Sequence, residues 1–461
     1  MISRKQSQIK DSILQGNIVK LMFKLSVPSI LGVLIVSLNS FIDALFAGRF
    51  IGETALAGIS LALPLTAIIQ GLADFVGTSS ASILSRAIGS KDLKTQSKVF
   101  GNMIIIGVVI SLFITIIGYG FNKELITFMG GSNAVTFEGS SYLKIYTIGT
   151  IFFIVGQACG DLVSSEGKIR WSTTSLCVYV IVNIFLNYLF IVVYSGGTAE
   201  LALATVIATV VAGMYNLAYF LLGKSLISLN LQKLVFAKDL LPEMLSIGIG
   251  PLLYPLTLLI QEFVVFNLIS NYGTNNDIAF FGATSKIIGL MFIPISGFMQ
   301  ALQPVIGMNY GAKQNKRIKQ AYVTSIIFAF ILLLLIWIPL QLSPKTFLNL
   351  ILPETNFTAI DISNFRILSI FTPMLTLTFL SVTLFIALGK GKKILGLIIF
   401  RIIILNIPFV LLFSRMFGVR GIYLGLLIAD IIFALIIFFL TFGEFKSLSK
   451  LKAKNTNHKL S

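Results

Sequence analysis

The sequence predicts an all-α integral membrane protein, with twelve transmembrane helices as two six-helix lobes related by a pseudo-two-fold axis along the membrane normal. Three observations predict it. Hydrophobic residues make up 56% of the 461 and charged residues 11%, with a mean hydropathy of +0.93. A water-soluble domain of that composition would have to wear an apolar surface. Apolar windows recur along the whole chain, each near the ~20 residues needed to cross ~30 Å of hydrocarbon. The third observation is a repeat: Gly89 and Gly311 stand 222 residues apart, as do Gly167 and Gly389, and Gly196 and Gly418. A match in glycines while side chains diverge reports a plan of helix ends and turns written twice.

In chain order, residues 1–19 form a basic N-terminal segment and residues 20–223 the first lobe. Its windows are roughly 20–46, 55–84, 99–121, 142–163, 171–194 and 199–223. Residues 224–241 read as a short polar connection, and 242–443 as the second lobe, with windows near 243–270, 278–307, 321–342, 364–388, 394–414 and 419–443. A basic tail, 444–461, closes the chain. An even number of spans per half puts both halves the same way up, so the repeat is parallel. Most of the 35 basic residues fall in the two terminal segments and in alternate loops, among them Lys10, Arg86, Lys168, Lys313, Lys390 and Lys450. The positive-inside rule makes that side cytoplasmic, with both termini inside a multi-pass protein of the cell (inner) membrane.

The net charge of +17 is scattered over short membrane-flanking segments rather than gathered on one face. That favours anionic lipid headgroups at the cytoplasmic face as partners and argues against nucleic acid. The apolar stretch after Lys24 is too long for a signal-peptide core. Cys159 and Cys177, in or beside spans four and five, read as small packing residues rather than a disulfide or metal pair. The single histidine, His458, sits in a polar tail expected to be disordered, which leaves no histidine proton relay. No metal-ligand cluster, nucleophile–base pair or Walker loop stands out, so neither a resident cofactor nor enzyme activity is expected.

Charge inside hydrocarbon is costly, so the informative residues are the ionisable ones within spans: Asp43, Asp74, Glu262, Lys286, Arg401 and Asp430. Asp43 is either an interfacial acid paired with Arg49 or a coupling acid. Asp74 is either a packing residue bonded to a neighbour such as Gln70 or a cavity acid. Glu262, beside Gln261 in span seven, has few structural excuses. Lys286 and Arg401 can pair with these acids across the interior. Gln70, Asn183, Gln261 and Gln300 are the neutral polar candidates for a cavity. A carboxylate inside a span can take a proton or sodium ion on one side and release it on the other. Pro28, Pro251 and Pro255 each remove a backbone hydrogen bond within a span and are candidate hinges.

Ile42-Asp43-Ala44-Leu45-Phe46-Ala47-Gly48, followed by Ala55-Leu56-Ala57-Gly58, resembles the first-span signature of the multidrug and toxic compound extrusion (MATE) family. Gln303-Pro304-Val305-Ile306-Gly307-Met308-Asn309-Tyr310-Gly311-Ala312-Lys313 is similar to the motif that family carries after its eighth span. The resemblance runs from about Ile18 to Phe442 and is strongest to the bacterial subgroup of DNA-damage-inducible-type and staphylococcal-type exporters. It implies two six-helix lobes around a V-shaped cavity, and export of cationic or amphipathic small molecules in exchange for sodium or protons. By resemblance, Asp43 matches the first-span coupling acid, and Glu262 falls near a seventh-span acid of another subgroup. Span five departs from the pattern: Asn183-Ile184-Phe185-Leu186-Asn187-Tyr188 places Asn187 where the subgroup has an acid, so Asn187 can bond to a proton carrier or cation but cannot titrate. Ile386 likewise stands where a glutamine is common before Gly389.

The resulting expectation is a monomeric secondary-active exporter working by alternating access, with Asp43, Asn187 and Glu262 as coupling residues. A lipid-linked oligosaccharide flippase is the alternative within transport, and would need several cationic residues to hold a pyrophosphate. A polytopic membrane enzyme is the alternative outside it.

Overall fold

The computed structural model describes residues 4–227, 236–353 and 356–457. Within them every regular element is helical. His458 and part of the 224–241 connection lie outside the described residues.

A first helix, α1 (Arg4–Gln15), precedes span one, α2 (Ile18–Phe46), which Asn17 caps by accepting from the Lys20 amide and which ends in a π-helical stretch, Ala47–Ile51. Next come α3 (Glu53–Ser90) and α4 (Leu93–Gly120), then a short α5 (Asn122–Phe128) that the apolar windows do not predict. Span four is the pair α6 (Asn133–Ile148) and α7 (Thr150–Ser165), bent by 53°. It therefore begins well before the predicted window at 142. Then α8 (Ile169–Asn187), continued by a π-helical Tyr188–Val193, and α9 (Thr198–Leu221) complete the first lobe. The second lobe comprises α10 (Leu241–Tyr272), α11 (Asn275–Gly311), α12 (Asn315–Leu342), the short α13 (Pro344–Asn349), α14 (Ala359–Ser369) with α15 (Leu375–Ala387), α16 (Gly391–Ile399) and α17 (Ile407–Asn457).

Ten helices of the described residues are long and apolar enough to span, and the bent pair is an eleventh. The tenth, Gly391–Lys450, has 60 residues. At ~1.5 Å per residue that is about 90 Å, three hydrocarbon thicknesses, so it must be two spans. Gly418 breaks it, with φ 59 and ψ −139. The limbs fold back on each other so closely that a Cβ on Gly421 would lie 1.9 Å from the Phe413 carbonyl oxygen. That makes twelve spans. Large side chains such as Leu38, Phe41, Phe113, Phe185 and Phe439 are exposed around the bundle, as lipid-facing residues must be.

The repeat has a backbone meaning. Lys91 and Lys313 are left-handed (φ 60 and 57), as are Gly167 and Gly389 (φ 81 and 74), each pair 222 residues apart. In the third pair the left-handed residue opposite Gly418 is Ser195 (φ 53) rather than Gly196. The halves meet through equivalent contacts. A Cβ on Gly89 would lie 2.0 Å from the Met308 carbonyl oxygen, and one on Gly311 would lie 2.0 Å from that of Arg86, the residue equivalent to Met308. One contact is thus made twice, as an isologous interface requires. Helix α2 runs on through Pro28, and α10 through Pro251 and Pro255.

Candidate functional site

Asn39 and Asp43 are one turn apart on α2, and Asn183 and Asn187 one turn apart on α8, so each pair occupies one helix face. The two faces meet. Asn187 Nδ2 donates to Asp43 Oδ1 at 2.6 Å and to Asn183 Oδ1 at 3.1 Å, Asn39 Nδ2 donates to Asp43 Oδ2 at 3.1 Å, and Asn183 Nδ2 donates to Thr205 Oγ1 on α9 at 3.2 Å. Asn39, Asn183 and Asn187 are buried. The carbonyl oxygens of Asn39 and Asn187 have no hydrogen-bond partner among the described residues. A carboxylate and two unengaged amide oxygens thus belong to one hydrogen-bonded cluster with neutral donors. The pairing of Asp43 with Arg49 is not found: Arg49 is exposed in the π-helical stretch, and no basic side chain pairs with Asp43 among the described residues.

The second lobe joins the same two spans differently. Asn406 Nδ2 donates to Gln261 Oε1 at 2.7 Å, an amide pair with no carboxylate. Glu262, the next residue, is exposed and makes no ion pair among the described residues, because one step along a helix turns a side chain by ~100°. Lys286 is exposed and also lacks an acidic partner among them. Arg401 does find an acid, Asp430, at 3.0 Å, and its guanidinium lies 5.6 Å from the Phe379 ring and 5.7 Å from that of Phe433.

Between the lobes lies a cavity of about 370 Å³. Gln70, Asp74, Gln157 and Asp161 line it from the first lobe; Tyr254, Gln300, Gln303, Thr378 and Arg401 line it from the second. Asp74 Oδ1 accepts from Gln70 Nε2 at 3.1 Å and Gln157 Nε2 at 2.7 Å. Both readings of Asp74 therefore hold at once: it is bonded to Gln70 and it faces a cavity. Gln157 and Asp161 are the residues that sequence reasoning misses. Asp161 is close to the loop after span four, where an acid is unremarkable. What seats it is Gly77 of α3: a Cβ there would come within 2.0 Å of Asp161 Oδ2. An acid in span four together with a glycine one turn beyond Asp74 was the available signal.

At the end that carries the chain termini the lobes are shut. Ser82 Oγ donates to the Ile386 carbonyl at 2.6 Å, and Arg86 Nη1 bonds Glu243 Oε1 at 2.6 Å. Gly389 leaves room for the Arg86 guanidinium, since its Cβ would lie 2.6 Å from Nη1. Arg317 Nη2 donates to the carbonyls of Ile13 and Gly16, both at 2.8 Å, fastening α1 across the seam.

The MatE family model matches residues 28–189 and 253–412, one stretch in each lobe. The chain belongs to the MATE family. Its relatives include the multidrug export protein MepA of Staphylococcus aureus strain MRSA252, 23% identical over 418 residues covering 90% of this chain and 92% of the relative. MepA of Staphylococcus saprophyticus is 24% identical over 428 residues, covering 91% and 93%. Among solved structures, a multidrug resistance MATE family transporter of the MOP superfamily in an outward-facing conformation superposes with a TM-score of 0.88 at 24% identity, covering 95% of this chain and 98% of that one. A MATE in the bent conformation gives 0.91 at 22%, covering 98% and 100%. The MATE fold is thus present end to end. The motif at the C-terminal end of α11 acquires physical content: Gly307 and Gly311 let the halves touch, Gln303 lines the cavity, and Asn309 Nδ2 reaches the Ile13 carbonyl at 3.3 Å. MATE proteins are transporters, not enzymes.

Proposed function

We propose that this MATE protein is a secondary-active multidrug exporter of the cell membrane that exchanges cationic or amphipathic small molecules for sodium ions or protons by alternating access. The observation that carries the reading is Asp43, a carboxylate inside a lobe held only by neutral amides, so that a proton or cation is free to come and go. Asn187 keeps the carboxylate in place, and its carbonyl oxygen, with that of Asn39, offers further oxygen donors to a hard cation. One elementary charge crossing the membrane is worth roughly 2.3 kcal/mol per 100 mV, enough for one coupled ion to drive export uphill. The export role named for the staphylococcal relatives supports the reading. Scattered basic residues at the closed end support cytoplasmic termini and contact with anionic headgroups. Both lobes lie in one chain, so the unit is a monomer, and no resident cofactor is needed.

The flippase reading is not favoured. A pyrophosphate needs several free cations, whereas the interlobe cavity offers two carboxylates and one guanidinium already paired with Asp430.

The test is ethidium efflux from proteoliposomes under a sodium gradient and a pH gradient imposed separately. Export under one gradient, lost in Asp43→Asn, supports the exchange mechanism and names the ion; export by Asp43→Asn at the wild-type rate refutes the coupling role.

A further inference from the structure

The closed end of the seam carries a fastening that the Asp43 cluster does not use. Helix α1 belongs to the first lobe. Only Gly16 and Asn17 separate it from α2, and Ile9 and Ile13 rest on Gly167 in the loop after span four, where a Cβ would lie 2.8 Å from Ile9 Cγ2 and 2.7 Å from Ile13 Cδ1. Ile13 is fully buried there. The C-terminal carbonyls of α1 meet the other lobe. Those of Ile13 and Gly16 each accept from Arg317 Nη2 at 2.8 Å, and that of Ile13 also accepts from Asn309 Nδ2 at 3.3 Å. Arg317 stands in the first turn of α12 and Asn309 near the end of α11, both in the second lobe.

Two observations set this contact apart from ordinary packing. Arg317 is partly buried and has no acidic partner among the described residues; its donors go to the α1 carbonyls and, through Nε at 3.2 Å, to Asn309 Oδ1. Its charge is set against the negative end of a helix and against last-turn carbonyls that the helix cannot satisfy itself. Asn309, 0% exposed, acts as a positioning residue, its oxygen holding the guanidinium while its amide shares the Ile13 carbonyl. The other half carries a counterpart. Asn102 on α4 donates to the Ala237 carbonyl at 2.8 Å and accepts from the Ala237 amide at 2.7 Å, just ahead of α10, and Lys98 pairs with Asp239 at 2.8 Å. Helices α4 and α12 are the third spans of their lobes, so each third span grips the lead-in to the other lobe's first span.

We propose that α1 is a latch: Arg317 holds it to the second lobe while this end is closed and must let go before the lobes can part there, so that the grip sets how often the closed end opens. The latch rests on the alternating-access reading for its place in a transport cycle. Asp43 exchanges the driving ion; Arg317 sets the balance between the two ends.

The experiment measures the distance across the closed end by pulsed electron–electron double resonance in full-length protein in lipid nanodiscs. Spin labels sit on Lys94→Cys and Lys319→Cys, both exposed and on opposite lobes, in a background with Cys159 and Cys177 replaced by alanine. Wild type should show mainly a short distance. Arg317→Met should raise the ratio of long to short distances about tenfold, as expected for losing charge-assisted hydrogen bonds. Arg317→Lys should fall between, because an ammonium cannot fork to two carbonyls as a guanidinium does. Lys316→Met, next to Arg317 and exposed, should leave the ratio unchanged. Should Arg317→Met not fold, Ile13→Asn unseats α1 from Gly167 in an otherwise intact chain and should move the ratio the same way. An unchanged ratio in folded Arg317→Met or Ile13→Asn, or an equal shift in Lys316→Met, overturns the proposal. A ratio that depends on Arg317 in a protein that exports under no gradient would leave the latch standing and remove the exchange mechanism; export with a ratio indifferent to Arg317 would do the reverse.

Discussion

The two lobes join their first and fifth spans at matching places, and they do so with opposite chemistry. In the first lobe a carboxylate, Asp43, sits among asparagines. In the second, Gln261 meets Asn406, and the nearby charge, Arg401, is balanced by Asp430 and flanked by two rings. One junction can change its charge state and the other cannot. A duplicated fold has thus kept its helix geometry on both sides and placed exchange on one, leaving the other lobe as a fixed wall against which the first can move.

The comparison breaks first at the ion pair. Arg401→Met leaves Asp430 uncompensated, and a stability loss of about 3 kcal/mol is expected, near the low end for a buried pair because Asp430 is partly exposed. The double variant Arg401→Met/Asp430→Leu should recover most of it in thermal unfolding in detergent. If the double variant is stable but exports nothing, the second lobe's charges do more than balance each other. Next in size, Asp43→Asn should lower gradient-driven ethidium export on the order of 100-fold, ~2.7 kcal/mol in rate terms, with expression and thermal midpoint unchanged. Gln261→Leu strands the Asn406 amide and should cost about 1–2 kcal/mol of stability. Gln261→Leu/Asn406→Leu should recover it and export within about twofold of wild type; a collapse of export in that folded double variant would give the second junction an active part.

The smallest effect concerns Glu166, an acid of the first lobe at the membrane edge. It is 1% exposed and accepts from Tyr219, Ser225 and the Leu226 amide, clasping the start of the interlobe connection. Burial pushes its carboxyl above the ordinary 4.5 despite these donors. The unfolded chain then gives up this proton at lower pH than the folded one, so its contribution to stability is full below 4.5 and declines as pH rises through the folded value. Glu166→Gln should flatten that decline in the thermal midpoint measured against pH. An unchanged slope would show that the carboxyl titrates alike in both states.

Much of this was legible in the chain. Composition and windows gave the spans, because crossing hydrocarbon leaves few alternatives, and the spaced glycines marked turns that recur in left-handed backbone. Asp43 and Asp74 stood out because acids inside spans are costly. Partners were harder. Asn187 stands out in the sequence but not its bond to Asp43, Thr205 is an ordinary residue until α9 brings it to Asn183, and Asp161 gains meaning only when Gly77 opens a place for it. Glu262 and Lys286 show the converse: their positions in spans are clear from sequence, but the face of the helix they occupy is set by packing. The π-helical stretches after Phe46 and Asn187 have no counterpart in the apolar pattern either, since period alone does not report one extra residue in a turn.

Ser85 and Gly307 are equivalent residues, and they meet each other: a Cβ on Gly307 would lie 2.0 Å from Ser85 Oγ and 2.8 Å from Ser85 Cβ. A point that faces its own image cannot hold two side chains here. Two identical halves, each with serine at this place, would collide where they have to touch. The chain is therefore obliged to be unlike itself on its own axis, and any ancestor assembled from two copies of one half needed a smaller residue there before its descendants could lengthen one side.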